Sequence, residues 1–153
     1  MREYLTQNTE PRKVFGDWTV HYRYTYGVAG ERFFRELKDR GHLVASACPK
    51  CKKRFLPPNQ YCEDCFVEMT EYAPVQGHGT VHSFTVLHES LEETPLAEPV
   101  IAAFVQFDGV AGGLLAPLKG VAPSSVKIGM KVKPVIEKKQ PTHSMQDLSW
   151  TPA

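Results

Sequence analysis

CPKCKKRFLPPNQYCEDC, residues 48–65, holds all four cysteines of a 153-residue chain in one short stretch. Cys48 and Cys51 form one Cys-x-x-Cys pair, and Cys62 and Cys65 form a second after ten intervening residues. Two residues between paired cysteines let both thiolates converge on one metal from a tight knuckle, whose backbone N–H groups can donate to sulfur. A second knuckle across a short hairpin completes a tetrahedron, with Pro57-Pro58-Asn59 as the turn. A closed four-thiolate set leaves no open coordination position, so the metal is expected to be structural. Zinc is the preferred ion. Rubredoxin-like iron uses the same ligands, so ligand type alone leaves iron open.

Thiol exchange by a redox Cys-x-x-Cys is the weaker reading, because two such pairs lie close together outside a βαβ pattern. Four thiolates on a divalent ion leave an excess of negative charge, and Lys50, Lys52, Lys53 and Arg54 stand near enough to soften it. A nucleic-acid patch built on the same basic residues is opposed by Glu63, Asp64, Glu68 and Glu71, which follow directly.

Downstream, Gly77 and Gly79 open a run of short β-rich segments with Gly and Pro punctuation: TVHSFTVLH, PVIAAFVQF, GGLLAPLKG and a pair of strands within VKIGMKVKPVIEK. That pattern suggests a small β-barrel of OB type. Upstream, Trp18, Val20, Tyr22, Tyr24 and Tyr26 alternate at period two, which suits an extended strand with an aromatic side. Packing in the chain's own core is preferred for it over docking on a partner. Gly27 breaks that pattern. GERFFRELKDRG then sets Phe33, Phe34 and Leu37 at helical spacing, with Gly41 placed to end a short amphipathic helix.

The expected organisation is an aromatic segment and helix over 1–41, a zinc ribbon over 42–73, an OB-fold over 74–139 and an irregular tail over 140–153. The fold class is therefore mainly β with a short N-terminal helical segment.

Charge and catalytic motifs narrow the function. The 18 basic and 17 acidic residues nearly cancel, against the strong positive field of a dedicated nucleic-acid binder. No run reaches the roughly 20 apolar residues of a membrane helix, and the N-terminus lacks the apolar core of a signal peptide, so a cytoplasmic location is expected. Thiolates held by metal are common in that reducing compartment, and structural disulfides are rare.

Nucleophile elbows, P-loops, H-E-x-x-H and Rossmann fingerprints are all missing. His78, His82 and His88 share parity and would line one face of an unbroken strand, where they could hold a second metal or act as bases. Histidines without such a role are the commoner case. Glu89, Glu92 and Glu93 sit in a turn-like segment, where solvation is the default. By itself the chain does not read as an enzyme, and no catalytic residue is assigned.

The order of motifs, FFRELK, then GHLVASACPKCKKRFLPPNQYCEDC, GHGTVHSFTV, PVIAAFVQF and IGMKVKPVIE, resembles the DUF35 family over about Val28 to Lys138. The resemblance implies a rubredoxin-like zinc ribbon followed by an OB-fold, acting as a non-catalytic partner of a thiolase-like enzyme on acyl-CoA. Members of that family accompany thiolases, hydroxymethylglutaryl-CoA synthases, lipid-transfer-type aldolases and polyketide-like acyltransferases. It makes Cys48, Cys51, Cys62 and Cys65 the metal ligands, and Gly77, Gly79, Thr80, Ser83 and Thr85 the signature of the first barrel strand.

Lys52 and Phe66 depart from it, standing after the knuckles where glycine is frequent. Neither gains easy access to positive φ. A CoA thioester is expected at the interface with the catalytic partner, which this chain would help to stabilise and enclose. The acyl group stays open between degradation of an aromatic or other organic acid and acetoacetyl-CoA metabolism.

Two other readings compete. One is a free-standing acyl-CoA or nucleotide-binding module with Lys119, Lys127, Lys131 and Lys133 as phosphate contacts. The other is a single-stranded nucleic-acid binder, since zinc ribbons and OB-folds serve that purpose too.

Overall fold

The computed structural model describes residues 16, 24–90, 93–138, 142 and 144–153. The expected aromatic strand lies outside these residues except for Gly16 and Tyr24–Tyr26. The helix α1, Gly27–Asp39, begins earlier than the sequence suggests. Gly27 adopts φ +68° and turns the chain into the first helical turn. Ala29, Phe33 and Leu37, each four residues after the last, form the one buried stripe. Glu31–Arg35 and Glu36–Arg40 pair along the outer surface. Gly41, at φ +70°, stops the helix as expected, its N–H donating to the Glu36 and Leu37 carbonyls at 3.0 and 3.1 Å.

The ribbon contributes β1 (Val44–Ala47), β2 (Arg54–Leu56) and β3 (Glu71–Pro74), with β1 antiparallel to both others. The barrel strands are β4 (Gly79–Glu89), β5 (Pro95–Gln106), β7 (Leu114–Leu118), β8 (Lys131–Ile136) and β9 (Leu148–Pro152). They close in the order β4-β5-β7-β9-β8, antiparallel throughout except β7 against β9. This is the five-stranded OB barrel.

Between β5 and β7 the chain leaves the barrel to make β6, Ala111–Gly112, which pairs in parallel with Phe55 and Leu56 of β2. Gly112 has φ +85°, and a Cβ there would run into the Leu56 carbonyl, so this crossing needs glycine. Phe33 and Leu37 of α1, Leu43, Val44 and Leu56 of the ribbon, and Val81, Val105, Leu114 and Trp150 of the barrel belong to one buried cluster. Helix, ribbon and barrel therefore share a core.

Two expectations about the C-terminal half are corrected. The tail is not irregular throughout: β9 pairs with β8 from Val132↔Pro152 to Ile136↔Leu148 and buries Leu148 and Trp150 completely. Asp147 fixes the entry to it by accepting from the Thr142 N–H at 2.7 Å and the Thr142 hydroxyl at 2.8 Å. VKIGMKVKPVIEK supplies one strand and not two, because Lys127–Met130 forms a turn around Gly129 at φ +89°. That turn has its own use. Gly129 N–H donates to the Val81 carbonyl at 2.8 Å and Val81 N–H to the Met130 carbonyl at 2.9 Å, closing the barrel against β4.

Candidate metal centre and the surfaces around it

Each knuckle is built by the same backbone bonds. Lys52 N–H donates to the Cys48 carbonyl at 3.0 Å and Cys48 N–H to the Lys53 carbonyl at 2.9 Å. In the second, Phe66 N–H donates to the Cys62 carbonyl at 2.9 Å and Cys62 N–H to the Val67 carbonyl at 3.0 Å. The same pair of hydrogen bonds thus recurs fourteen residues apart. This geometry forces positive φ just after the second cysteine, and Lys52 and Phe66 take it at +63° and +52° although neither is glycine. The departure from the family's usual residue thus leaves the knuckles intact and places two side chains in the left-handed region.

The four Sγ atoms lie within 4.8 Å of one another, and Cys51 Sγ is 3.8 Å from Cys62 Sγ. Zinc–sulfur bonds of about 2.3 Å at tetrahedral angles set sulfurs about 3.8 Å apart, so the set fits zinc. Cys48 and Cys62 are buried, Cys65 is half-buried and Cys51 is exposed. Phe55 and Met69 pack under them in a small cluster separate from the main core.

Without a cation the thiols compete for charge. Burial pushes Cys48 up, but hydrogen bonds from the Cys51 N–H and thiol, the Lys50 N–H and the Cys62 thiol outweigh it and bring it from 9.0 to about 6. At Cys51 the Lys53 N–H acts downward, yet the Cys48 and Cys62 sulfurs and burial leave the thiol raised. Burial, then hydrogen bonds with Cys51, Cys48 and Cys62, push Cys65 up to about 12. Cys48 is the thiolate ready for the ion, while Cys51 and Cys65 hold their protons until a metal displaces them.

Two of the four basic residues beside the cysteines are engaged. Lys53 Nζ reaches Asp64 Oδ2 at 2.9 Å and Glu63 Oε1 at 3.6 Å and lies over the Phe55 ring, tying the first knuckle to the second. The hydrogen bond to Asp64 holds its ammonium above the ordinary lysine range. Arg54 donates to the Pro74 carbonyl at 3.0 Å. Lys50 and Lys52 are exposed and have no ion pair among the described residues, a weak footprint for nucleic acid.

The histidines do not converge. A register shift between Val81 and Ser83 and another between Leu87 and Glu89 break the parity of β4, so His78, His82 and His88 are not held on one face. Among the described residues the cysteines form the one group of three or more potential ligands within metal-binding reach. His82 instead packs edge-on to Phe104. Glu89 and Glu93 are exposed at the β4–β5 turn, and Glu92 lies outside the described residues.

Lys119, Lys127, Lys131 and Lys133 are exposed, and Lys131 Nζ donates to Thr80 Oγ1 at 2.7 Å. Of the strand signature, Gly79 is required by packing, since a Cβ would collide with Val105 and lie 3.1 Å from the Phe107 ring. Gly77 turns at φ +86°.

A groove of about 460 Å³, not signalled by any local motif, runs between α1, the ribbon turn and the outer face of β5 and β7. Phe33, Phe34, Pro57, Pro58, Phe104, Leu115 and Met145 line it, and no charged residue does. Its parts are far apart in sequence. Phe104 and Leu115 are cross-strand neighbours, which only the barrel register reveals.

Comparison with known proteins bears on these features. Residues 35–70 match a family model described as ChsH2, rubredoxin-like zinc ribbon domain, and residues 72–137 match ChsH2, C-terminal OB-fold domain. A DUF35 domain-containing scaffold protein of Methanothermobacter thermautotrophicus is 27% identical over 108 residues, 70% of this chain and 80% of that one. A protein of the same description from Methanocaldococcus jannaschii is 25% identical over 109 residues, 70% and 76% of the two chains.

The crystal structure of a Sulfolobus solfataricus protein of unknown function from the DUF35 family is similar at TM-score 0.66 and 33% identity, covering 83% of this chain and 87% of that one. The Ltp2-ChsH2(DUF35) aldolase is similar in fold at TM-score 0.67 and 24% identity, covering 85% and 98%.

Proposed function

This chain belongs to the DUF35 family, and from that membership we propose that it is a zinc-loaded, non-catalytic subunit of a thiolase-like enzyme acting on acyl-CoA. The observation that carries the reading furthest is the uncharged groove on the OB barrel. OB-folds that bind single strands combine a positive channel with exposed aromatics. Here the face made by β5 and β7 is apolar and joins the helix and the ribbon turn, which suits burial against another protein. The scaffold description of two relatives and the fold likeness to the Ltp2-ChsH2(DUF35) aldolase point the same way.

In this reading Cys48, Cys51, Cys62 and Cys65 hold zinc as a staple. Binding the ion fixes loops whose own core, Phe55 and Met69 with two of the ligands, is too small to order them. Thiolase chemistry needs a free activated cysteine and an oxyanion hole. All four thiols of this chain are committed to the cluster, so the nucleophile comes from the partner. This subunit shapes and closes the channel in which the CoA thioester reacts.

Complex formation tests the reading. Mixed with its thiolase-like partner, the zinc-loaded chain should elute by size-exclusion chromatography with light scattering as one stoichiometric assembly. Separate elution at micromolar concentrations of both proteins would refute it.

A further inference from the structure

The second knuckle carries a side chain that the ribbon itself has no use for. Phe66 follows Cys65, where the hydrogen bond from its N–H to the Cys62 carbonyl demands φ +52°. Glycine satisfies that turn without cost, whereas a Cβ in the left-handed region is disfavoured, and more so when the side chain is bulky. Strain of this kind is tolerated when burial repays it. Phe66 gains no such return, because 83% of its surface faces solvent.

Lys52 stands at the equivalent position of the first knuckle with the same backbone geometry, and its charged end is solvated there. The second knuckle thus combines backbone strain with an exposed benzyl group. It exposes a second aromatic as well, Tyr61, which is bridged to Glu68 across the knuckle.

We propose that Phe66 is a docking anchor, inserted into an apolar pocket of the catalytic partner subunit when the complex forms. The inference rests on the accessory-subunit reading above and adds to it the point of contact. Large aromatic side chains buried in a partner's pocket carry a disproportionate share of interface energy.

The charges around the ring indicate the kind of surface that receives it. Glu63 and Asp64 precede it and Glu68 follows, all exposed, and among the described residues Lys53 is the one cation paired with the first two. An acidic collar disfavours an anionic lipid surface or a nucleic-acid backbone. It fits a protein pocket with a basic rim. The same collar on a second copy of this chain would repel its own equivalent, which sets a homodimer through Phe66 aside.

The strain makes the test unusually clean, because removing the side chain should help the fold and harm the complex. Phe66→Gly is expected to raise the Tm of the isolated zinc-loaded chain by roughly 2–6 °C, and to weaken its Kd for the purified thiolase-like subunit at least about 30-fold. Lys52→Gly relieves the same backbone strain in the first knuckle, so it should raise Tm similarly with Kd within about threefold of wild type. Phe66→Trp should keep most of the affinity, since it preserves the anchor. Phe66→Asn tolerates the left-handed conformation and provides a second ring-deleted variant should the glycine variant lose zinc.

Unchanged affinity in Phe66→Gly and Phe66→Asn, with wild-type chain binding normally, would overturn this inference alone. Failure of the wild-type chain to bind would overturn it together with the accessory reading. Loss of binding to phosphatidylcholine–phosphatidylglycerol vesicles, or of self-association, in place of partner binding would also overturn it.

Discussion

Replacing Trp150 by alanine should destabilise the whole chain, although it lies in a tail whose sequence gives little sign of structure. Its side chain is completely buried in the barrel, with its ring centroid 6.0 Å from that of Phe107. Tryptophan-to-alanine changes in cores cost about 3–5 kcal/mol through lost transfer energy and the remaining cavity. One feature works the other way. The indole Nε1 has no hydrogen-bond partner among the described residues, and an orphaned buried donor costs about 1–3 kcal/mol.

Trp150→Phe removes that donor while keeping most of the ring, so its cost should be about 1 kcal/mol or less. The alanine variant, its cavity cost offset by the same relief, should lose about 2 kcal/mol out of a total of roughly 5–15 kcal/mol. Urea unfolding followed by circular dichroism on zinc-saturated protein measures both. Stability within 1 kcal/mol of wild type for Trp150→Ala would refute the placement of β9 in the barrel. A loss well above about 1 kcal/mol for Trp150→Phe would refute the role given to the orphaned N–H.

Two further outcomes concern the metal. The native chain should bind one zinc per molecule, and Cys51→Ser should weaken that binding by more than about 100-fold, beyond what loss of an outer-shell partner costs. Inductively coupled plasma analysis and competition with a chromophoric chelator report it, and unchanged affinity would remove Cys51 from the ligand set. Zinc uptake at pH 7 should release at least two protons per ion. Cys48, at about 6, is already mostly thiolate there, while Cys51 is raised and Cys65 stands at about 12, so both still hold protons for the metal to displace. Zinc affinity must therefore rise with pH, and fewer than one proton released in a weakly buffered indicator assay would contradict this.

The ribbon and the OB class were legible because they depend on local, repeated signals. Paired cysteines at fixed spacing carry their geometry with them, and Gly77 and Gly79 announce the barrel. What escaped the sequence depends on register or on distant neighbours. The shift at Val81/Ser83 changes which side chains of β4 face inward, so parity counted through His78, His82 and His88 fails.

Leu148 to Pro152 is too short and too polar to signal a strand. It becomes one only because β8 and β7 offer edges on either side. Lys127 to Met130 has the composition of a strand, but Gly129 turns it back toward Val81. The apolar groove combines Phe34, Pro58, Phe104 and Met145, whose proximity no local pattern encodes. Phe66 was visible as a departure from glycine at the knuckle. Its exposure and its positive φ needed the fold.

The most direct test of the accessory role is the acyl-CoA turnover of the thiolase-like partner, measured alone and then titrated with the zinc-loaded chain. Activity should be at least about tenfold lower without this chain and should saturate at a fixed stoichiometry as it is added. Full turnover by the partner alone, unchanged on addition of the chain, would contradict the role assigned to it.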